Sequence, residues 1–481
     1  MPKQYRKIEV KVGSGASDDA KKNNFRFWSV KTWPRWGKVL GGIIAAILIL
    51  AIGVVLRYVF AYNGFLNKIT DWGKEKKEYS VVIMSKGGEN NNDRDSDDKN
   101  DESALQALSG KNVGFLKTDS QATVAEKYLQ GKIQFEAGMY DDVDTLIMAL
   151  DGGLTEGIVL ESSRLETLRE SSENTQNSAT EVQQNIKNTK DLTKNLQVIY
   201  TFEIEVEIEP AEVTNKEITT EPFVVYISGT DSRAGVKAAA RSDVNILAVV
   251  NPAKGKILLV SIPRDMYVQL HGTTGLKDKL THAGIYGIDM SKATIEDFLG
   301  VKIDHTIKVS FDTVVKTVDQ LDGIEINSDQ EMRLKVEGKD KYCDFIVGKQ
   351  MVDGDCALRF ARERKSYETG DRHRGENQQQ VITSIIGRLS QSKNYLLRVP
   401  TILDIAADSF ETDFNREQIS AFLRMQLGQK INWQVESISV DGTGDYAPTY
   451  SMGANLPLYV MVPSVETVNN ASNKINEYLA K

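Results

Sequence analysis

The run Val39–Leu56, VLGGIIAAILILAIGVVL, holds eighteen consecutive residues without a charge. No other feature limits the architecture of the chain so strongly. A helix of that length, flanked by Trp36 and Tyr58, reaches across the roughly 30 Å hydrocarbon layer of a bilayer. Residues 39–60 are therefore assigned to a transmembrane helix, with Arg57 snorkelling at its far end. The basic region before it is long and no A-x-A cleavage motif follows, which marks a retained anchor rather than a signal peptide. Residues 1–38 carry ten Lys or Arg against three acids. That tail is expected to be cytoplasmic, and the chain beyond the single span extracytoplasmic at the cell membrane.

The 481-residue chain is too long for one compact domain. Its 41% hydrophobic and 26% charged residues are those of ordinary globular protein, and a net charge of -8 argues against a nucleic-acid partner. Tyr79–Ser85, Asn112–Leu116 and Gly157–Leu160 are apolar runs of buried-strand type, with helical patterns over Gln121–Leu129 and Tyr140–Leu150. Glu89–Ser103 reads as a solvated loop, Glu161–Leu196 as one or two surface helices, and Leu196–Ile208 alternates as a half-buried strand does. Residues 75–208 are thus expected to form a small α/β accessory domain, followed by a linker over 209–222. In 223–481, Phe223–Ser228, Val244–Val250 and Lys256–Ile262 are three strand-like runs in about forty residues. Helices over Lys292–Leu299, Phe311–Leu321 and Gln378–Leu389 would cover them. The expected fold is α/β, an α-β-α-like sandwich around a central mixed sheet.

Ligand-binding groups collect at strand ends in such layers. Here the ends carry Gly229-Thr230-Asp231-Ser232-Arg233, Arg241-Ser242-Asp243 and Pro263-Arg264-Asp265. Asp231 and Asp243, side by side on adjacent strands, make a carboxylate pair of the kind that holds Mg²⁺ beside a phosphate. Arg241 and Arg264 would neutralise that phosphate. Singly, each Asp is more ordinarily a turn former or helix cap, and only the coincidence on three strands favours a site. A second cluster holds Arg362 and Arg364, on one face if that segment is extended. In the same cluster Asp371, Arg374 and Gln378 share one face of a helix entering at about Asp371. A helix N-terminus beside two arginines is an anion site, although solvated ion pairs would use the same residues. Cys343 and Cys356, thirteen positions apart in a segment that reads as a hairpin, are free to pair outside the cell. Two buried free thiols are the alternative.

Taken together and in order, Ser228-Gly-Thr-Asp-Ser-Arg233, Arg241-Ser-Asp243, Ser261-Ile-Pro-Arg-Asp265, Lys279-Leu-Thr-His-Ala-Gly284, Arg362-x-Arg364 and Gly370-Asp371-x-x-Arg374 resemble the LytR-CpsA-Psr catalytic domain over residues 220–395. The region before it is similar to that of the family's capsule-associated, CpsA-like branch. Asp322-Gly stands where Gly-Gly is frequent in the family, and Thr281 where Asn is frequent. The resemblance implies a phosphotransferase that moves a phospho-glycan, of capsular-polysaccharide type, from a polyprenyl-pyrophosphate carrier to peptidoglycan in a Gram-positive wall. It also implies Mg²⁺ held by Asp231 and Asp243, and pyrophosphate contacts from Arg241, Arg264, Lys279, Arg362, Arg364, Arg374 and Gln378. Asp371 would be the base, with Arg264 and Arg374 completing the catalytic set. Membrane lipid and capsule-synthesis proteins are the further partners it implies. A lipid pyrophosphatase in the same pocket, or a non-catalytic polyprenyl-phosphate-binding regulator of capsule synthesis, are the alternatives. A polyprenyl tail needs an apolar channel, for which Ile295, Phe298, Leu299, Val301, Ile303, Ile307, Val309, Val314, Val315 and Val318 are available, most of them serving equally as plain core.

Overall fold

The computed structural model describes residues 74–85, 101–173, 195–207, 216–230, 239–367, 370–391 and 410–480. The apolar run over 39–60 and residues 209–215 of the expected linker lie outside them. Among the described residues no helix is long and apolar enough to cross a membrane.

The first part is a five-stranded sheet built from β1 (Lys74–Met84), β2 (Asn112–Leu116), β3 (Glu136–Tyr140), β4 (Gly157–Glu161) and β5 (Leu196–Glu207), in the order β3-β2-β4-β1-β5. Strand β2 runs parallel to β3 and β4, whereas β1 is antiparallel to β4 and β5. Helices α1 (Ala122–Gln130) and α2 (Val143–Asp151) make the crossovers that parallel strands require. Helix α3 (Ser162–Glu173) follows β4 directly. It was expected on the surface. Instead Leu165 and Leu168 are buried and Arg164 is fully enclosed, because the helix packs on the second sheet region as well as on the first. Strand β3 escaped the sequence reading because its side chains are largely exposed and show no apolar alternation. The expected loop over Glu89–Ser103 runs at its described end into a short helix, Glu102–Gln106, capped by Asp101.

The second part centres on a six-stranded mixed sheet. It contains β6 (Phe223–Thr230), β7 (Val244–Asn251), β8 (Lys256–Ser261) and β9 (His305–Ser310). Four strands, β10 (Ile324–Ser328), β11 (Met332–Lys335), β12 (Tyr342–Phe345) and β13 (Gly348–Val352), form two small antiparallel pairs beside it, β10 with β13 and β11 with β12. Strands β14 (Phe410–Thr412) and β15 (Gln434–Ser439) complete the central sheet in the order β14-β9-β6-β7-β8-β15. A hairpin of β16 (Gly442–Thr449) and β17 (Gly453–Pro463) follows. The longer helices here are α4 (Ile288–Leu299), α5 (Phe311–Gln320), α6 (Gly354–Arg362), α7 (Asp371–Gln391), α8 (Arg416–Gln429) and α9 (Val465–Leu479).

Residues along β6, β7 and β8 alternate between two cores, which is why those strands read as continuous apolar runs. Val224, Tyr226, Leu247, Val249, Leu258 and Val260 meet α4 and α9 on one face. Phe223, Val225, Ile246, Ala248, Ile257 and Leu259 meet α7 and α8 on the other. The fold is mixed α/β, with helices on both faces of the sheet. Strand β15 and α9 belong to these layers, so the sandwich draws on residues beyond the motif-bearing stretch 220–395. Met452, Leu456 and Leu458 of the hairpin region enter the core of the first sheet, and Glu75 of β1 pairs with Lys308 of β9 at 3.0 Å. Asp322 adopts φ 55°, a left-handed conformation that Asp tolerates and Gly favours. A Gly-Gly at this turn serves the same backbone.

Candidate functional site

Strands β6 and β9 are parallel and end in register at Thr230 and Ser310, and β8 and β15 are parallel and end at Ser261 and Ser439. Strand β7 runs the other way and begins at Val244, opposite Gly229. The ends of β6, β8 and β15 and the start of β7 therefore meet at one edge of the sheet. Helix α7 closes that edge. Its Gly375 permits the approach, since a Cβ there would stand 2.8 Å from Ser261 Oγ. Gln379, buried, donates to the carbonyls of Leu259 and Ile438 at 3.2 and 2.6 Å and so fixes the helix across two strands.

The cleft between them is small and is lined by Asp243, Asn245, Ser261, Pro263, Arg264, Arg372, Arg374, Gly375, Gln378, Ser439 and Val440, among others. Arg264 donates from Nη1 to Asp243 Oδ1 at 2.8 Å, and Lys279 Nζ reaches Asp265 Oδ1 at 2.9 Å. Arg372 pairs with Asp441. Burial opposes ionisation of Asp243, but Arg264 and then Arg241 overcome it and hold its carboxyl below the ordinary range. Asp265 is likewise pulled down to about 2, against its burial, by Lys279 and Arg264. Both carboxylates stay charged, and the arginines around them present cationic donors to the cleft, the arrangement that binds phosphate oxygens. Behind this edge runs a buried polar string: Tyr226 donates to Asn245 Oδ1 at 2.6 Å, and Ser242 lies 2.7 Å from Ser228. Among the described residues no group of three or more His, Cys, Asp or Glu is placed to hold a metal.

The family described as LytR_cpsA_psr has a model that matches residues 171–467. The chain belongs to the LytR-CpsA-Psr family. It is similar to the polyisoprenyl-teichoic acid–peptidoglycan teichoic acid transferase TagU of Enterococcus faecalis, with 32% identity over 47% of this chain and 71% of that protein. The transferase of the same name from Bacillus mycoides is 32% identical over 49% of this chain and 73% of its own length. The crystal structure of Bacillus subtilis TagV covers 54% of this chain and 98% of its own, at 27% identity and a TM-score of 0.46.

In this LytR-CpsA-Psr domain the structure gathers Asp243, Arg264, Arg374 and Gln378 of the sequence-derived set at one cleft. Lys279 adjoins them through Asp265. Asp371 opens α7, as its spacing from Arg374 and Gln378 predicts, while its side chain and the whole of Asp231 lie outside the description. Arg241, Arg362 and Arg364 do not line the cleft. Arg241 turns toward α3, where Nη1 donates to Thr167 Oγ1 at 3.3 Å. Arg362 ends helix α6 rather than standing in an extended segment; it lies over the ring of Phe311 and 3.3 Å from Glu337. Two residues apart, it and Arg364 thus lose the shared face that an extended chain would give.

Cys343 and Cys356 are joined in a disulfide. The segment between them is not a hairpin: Cys343 sits in β12, which pairs with β11, and Cys356 lies in the first turn of α6, where Asp353 caps its N–H. Sequence reasoning passed over Gln379, Asn245 and Ser242, whose buried hydrogen bonds hold the edge together. It also passed over Asp278 and Ser451, both bonded to Nδ1 of the buried His282 at 2.6 and 2.8 Å. Because both meet the same nitrogen, this trio clamps the loop bearing Lys279 and is no proton relay. Burial pushes the His282 pKa down, with Asp278 opposing. Thr281, at a position where Asn is frequent in the family, is buried, and its hydroxyl finds no hydrogen-bond partner among the described residues.

Proposed function

We propose that this chain is a phosphotransferase that moves a phospho-glycan, of capsular-polysaccharide type, from a polyprenyl-pyrophosphate carrier to peptidoglycan. The observation that carries the reading is the cleft at the sheet edge, where Arg264, Arg372 and Arg374 surround the charged Asp243 in a member of this family. Its similarity to polyisoprenyl-teichoic acid–peptidoglycan teichoic acid transferases supports the glycopolymer and the wall as its two substrates. In this reading residues 39–60 anchor the chain in the cell membrane and the sandwich works outside it.

The polyprenyl tail needs apolar surface next to the cleft. Ile295, Leu299, Val301 and Ile303 do not offer it, being closed into the core under α4. The better candidate is the opposite face of the sheet. There Ile307, one of the apolar residues offered by the sequence, and Ile227, Ile382, Ile386 and Phe422 are only partly buried, and Ile382 and Ile386 continue α7 onward from Gln378 at the cleft.

Arg264 and Arg374 would stabilise charge on the pyrophosphate as the wall hydroxyl attacks the glycan-side phosphorus, and Asp371, at the head of α7, would take the hydroxyl proton. The leaving group is polyprenyl phosphate. Asp243, ionised and near Arg264, has the oxygen chemistry that Mg²⁺ accepts, and Asp231 would be the second ligand; Mg²⁺ ordinarily takes one or two protein carboxylates, completed by phosphate and water. Bound there, the ion would neutralise developing phosphate charge. Incubating the purified chain with a labelled polyprenyl-pyrophosphate glycan, wall fragments and Mg²⁺, with Arg264→Ala as control, tests the reading. Label on the wall fragments that the control lacks supports it. Free labelled glycan phosphate would indicate a pyrophosphatase, and bound but unchanged lipid a regulator.

A further inference from the structure

We propose that α3, whose Glu166 and Thr167 precede the residues matched by the family model, completes the anion site by positioning Arg241: Thr167 seats its guanidinium, and Glu166 holds the place that a substrate phosphate oxygen takes over. The inference rests on reading Arg241 as a pyrophosphate ligand.

Two features of α3 make it a fixed support. Arg164, with no exposed surface, donates to Glu161 at 2.5 Å and to the carbonyl of Ser451 at 2.9 Å, and stacks over Tyr286 at 5.1 Å. Leu165 and Leu168 are buried in the core that includes Met452 and Leu458. The turn between these anchors carries Glu166 and Thr167. The Thr167 hydroxyl spends its hydrogen on the carbonyl of Ser163 at 2.9 Å, so toward Arg241 Nη1, at 3.3 Å, it acts as an acceptor. Thr167 is itself 4% exposed and has no freedom to follow a moving arginine.

Glu166 is different in kind. Its carboxylate approaches Arg241 Nη2 at 3.5 Å and is 62% exposed, whereas the arginine is 11% exposed. A long, solvated ion pair of this sort is weak and easily exchanged. Arg241 in turn lies close enough to Asp243 to add to the hold that Arg264 has on its charged carboxylate. The guanidinium therefore stands between a permanent acid in the cleft and a replaceable one on α3. An incoming phosphate, with more charge and better acceptors than one carboxylate, displaces Glu166 while Thr167 keeps the arginine in place.

The test is titration of the full chain, solubilised in detergent, with farnesyl pyrophosphate as probe at low and high salt. Glu166→Gln is expected to tighten binding about two- to fivefold, with the gain shrinking at high salt. Thr167→Val is expected to weaken it about tenfold, and Thr167→Ser to restore it. Both effects should vanish in an Arg241→Ala background. If Arg241→Ala weakens binding but Glu166→Gln and Thr167→Val leave it unchanged, the inference fails and the reading of Arg241 stands. If Arg241→Ala itself changes nothing, both fail. Glu166 is exposed, so its variant remains informative should Thr167→Val not fold.

Discussion

Arg264 and Asp243 form the ion pair around which the cleft is built: Nη1 to Oδ1 is 2.8 Å, with both side chains less than a fifth exposed. The two residues come from different strand ends, twenty-one positions apart, and neither is shielded enough to be inert nor exposed enough to be dispensable. Arg264→Ala leaves a mostly buried carboxylate without its main partner. We expect a loss of about 2 kcal/mol in stability and about a hundredfold or more in transfer. The double variant Arg264→Gln with Asp243→Asn should regain much of the stability and none of the activity, as denaturant melts and the wall-labelling assay would show.

The pH dependence of stability follows from Asp265. Its folded pKa, about 2, lies below the ordinary carboxylate value, so its contribution is full above about pH 4 and is lost as pH falls toward 2. The shift corresponds to about 2 kcal/mol. Asp265→Asn should flatten the acid arm of a stability-against-pH curve in that window and lower stability at pH 7. An unchanged acid arm would show that Lys279 and Arg264 do not hold this carboxylate.

Asp289 runs the opposite way. Burial raises its pKa to about 6, with Lys292 opposing and Glu75 adding to the rise. Ionising it in the folded state is costly, so stability falls as pH climbs from about 4 through 6. Asp289→Asn should therefore stabilise the protein at pH 7 and have little effect below pH 4, measured by thermal melts across that range.

The Cys343–Cys356 disulfide ties β12 to the first turn of α6, the helix that ends in Arg362. Closing a loop of this size contributes about 3 kcal/mol in the chain-entropy picture. Non-reduced peptide mapping should recover the two cysteines linked, and the double serine variant should melt at a lower temperature with the cleft at Arg264 intact.

Arg164 is the deepest charge joining the first sheet to the second region. Arg164→Ala leaves Glu161 paired with Lys77 at 2.9 Å and empties the space over Tyr286. A cost of about 3 kcal/mol or more is expected. Limited proteolysis should then separate a fragment beginning near the linker over 209–222, which the wild-type chain resists.

Strand ends were legible because their composition is unusual: an arginine and a carboxylate beside each of three apolar runs mark a shared edge whatever the detailed topology. The helix carrying Arg374 and Gln378 was legible for a similar reason, since its polar and apolar positions keep one spacing. Arg362 and Arg364 show where this stops. Two residues apart, they share a face only if the backbone is extended, and the hydrophobic face of α6, with Phe360 buried, carries the helix through Arg362. Apolar composition has the same limit, because it does not separate the residues under α4 from those along α7. Packing alone makes the first set core and leaves the second partly open.

By itself the sequence determined the alternating strands and helices, the family and the chemical character of the sheet edge, all of which follow from local pattern and residue type. Only the tertiary structure decided that Arg241 faces Thr167 on α3, seventy-four positions earlier, and that Ser439 and Val440 complete the cleft. Those contacts arise where separate elements pack, and no local spacing encodes which surfaces will meet.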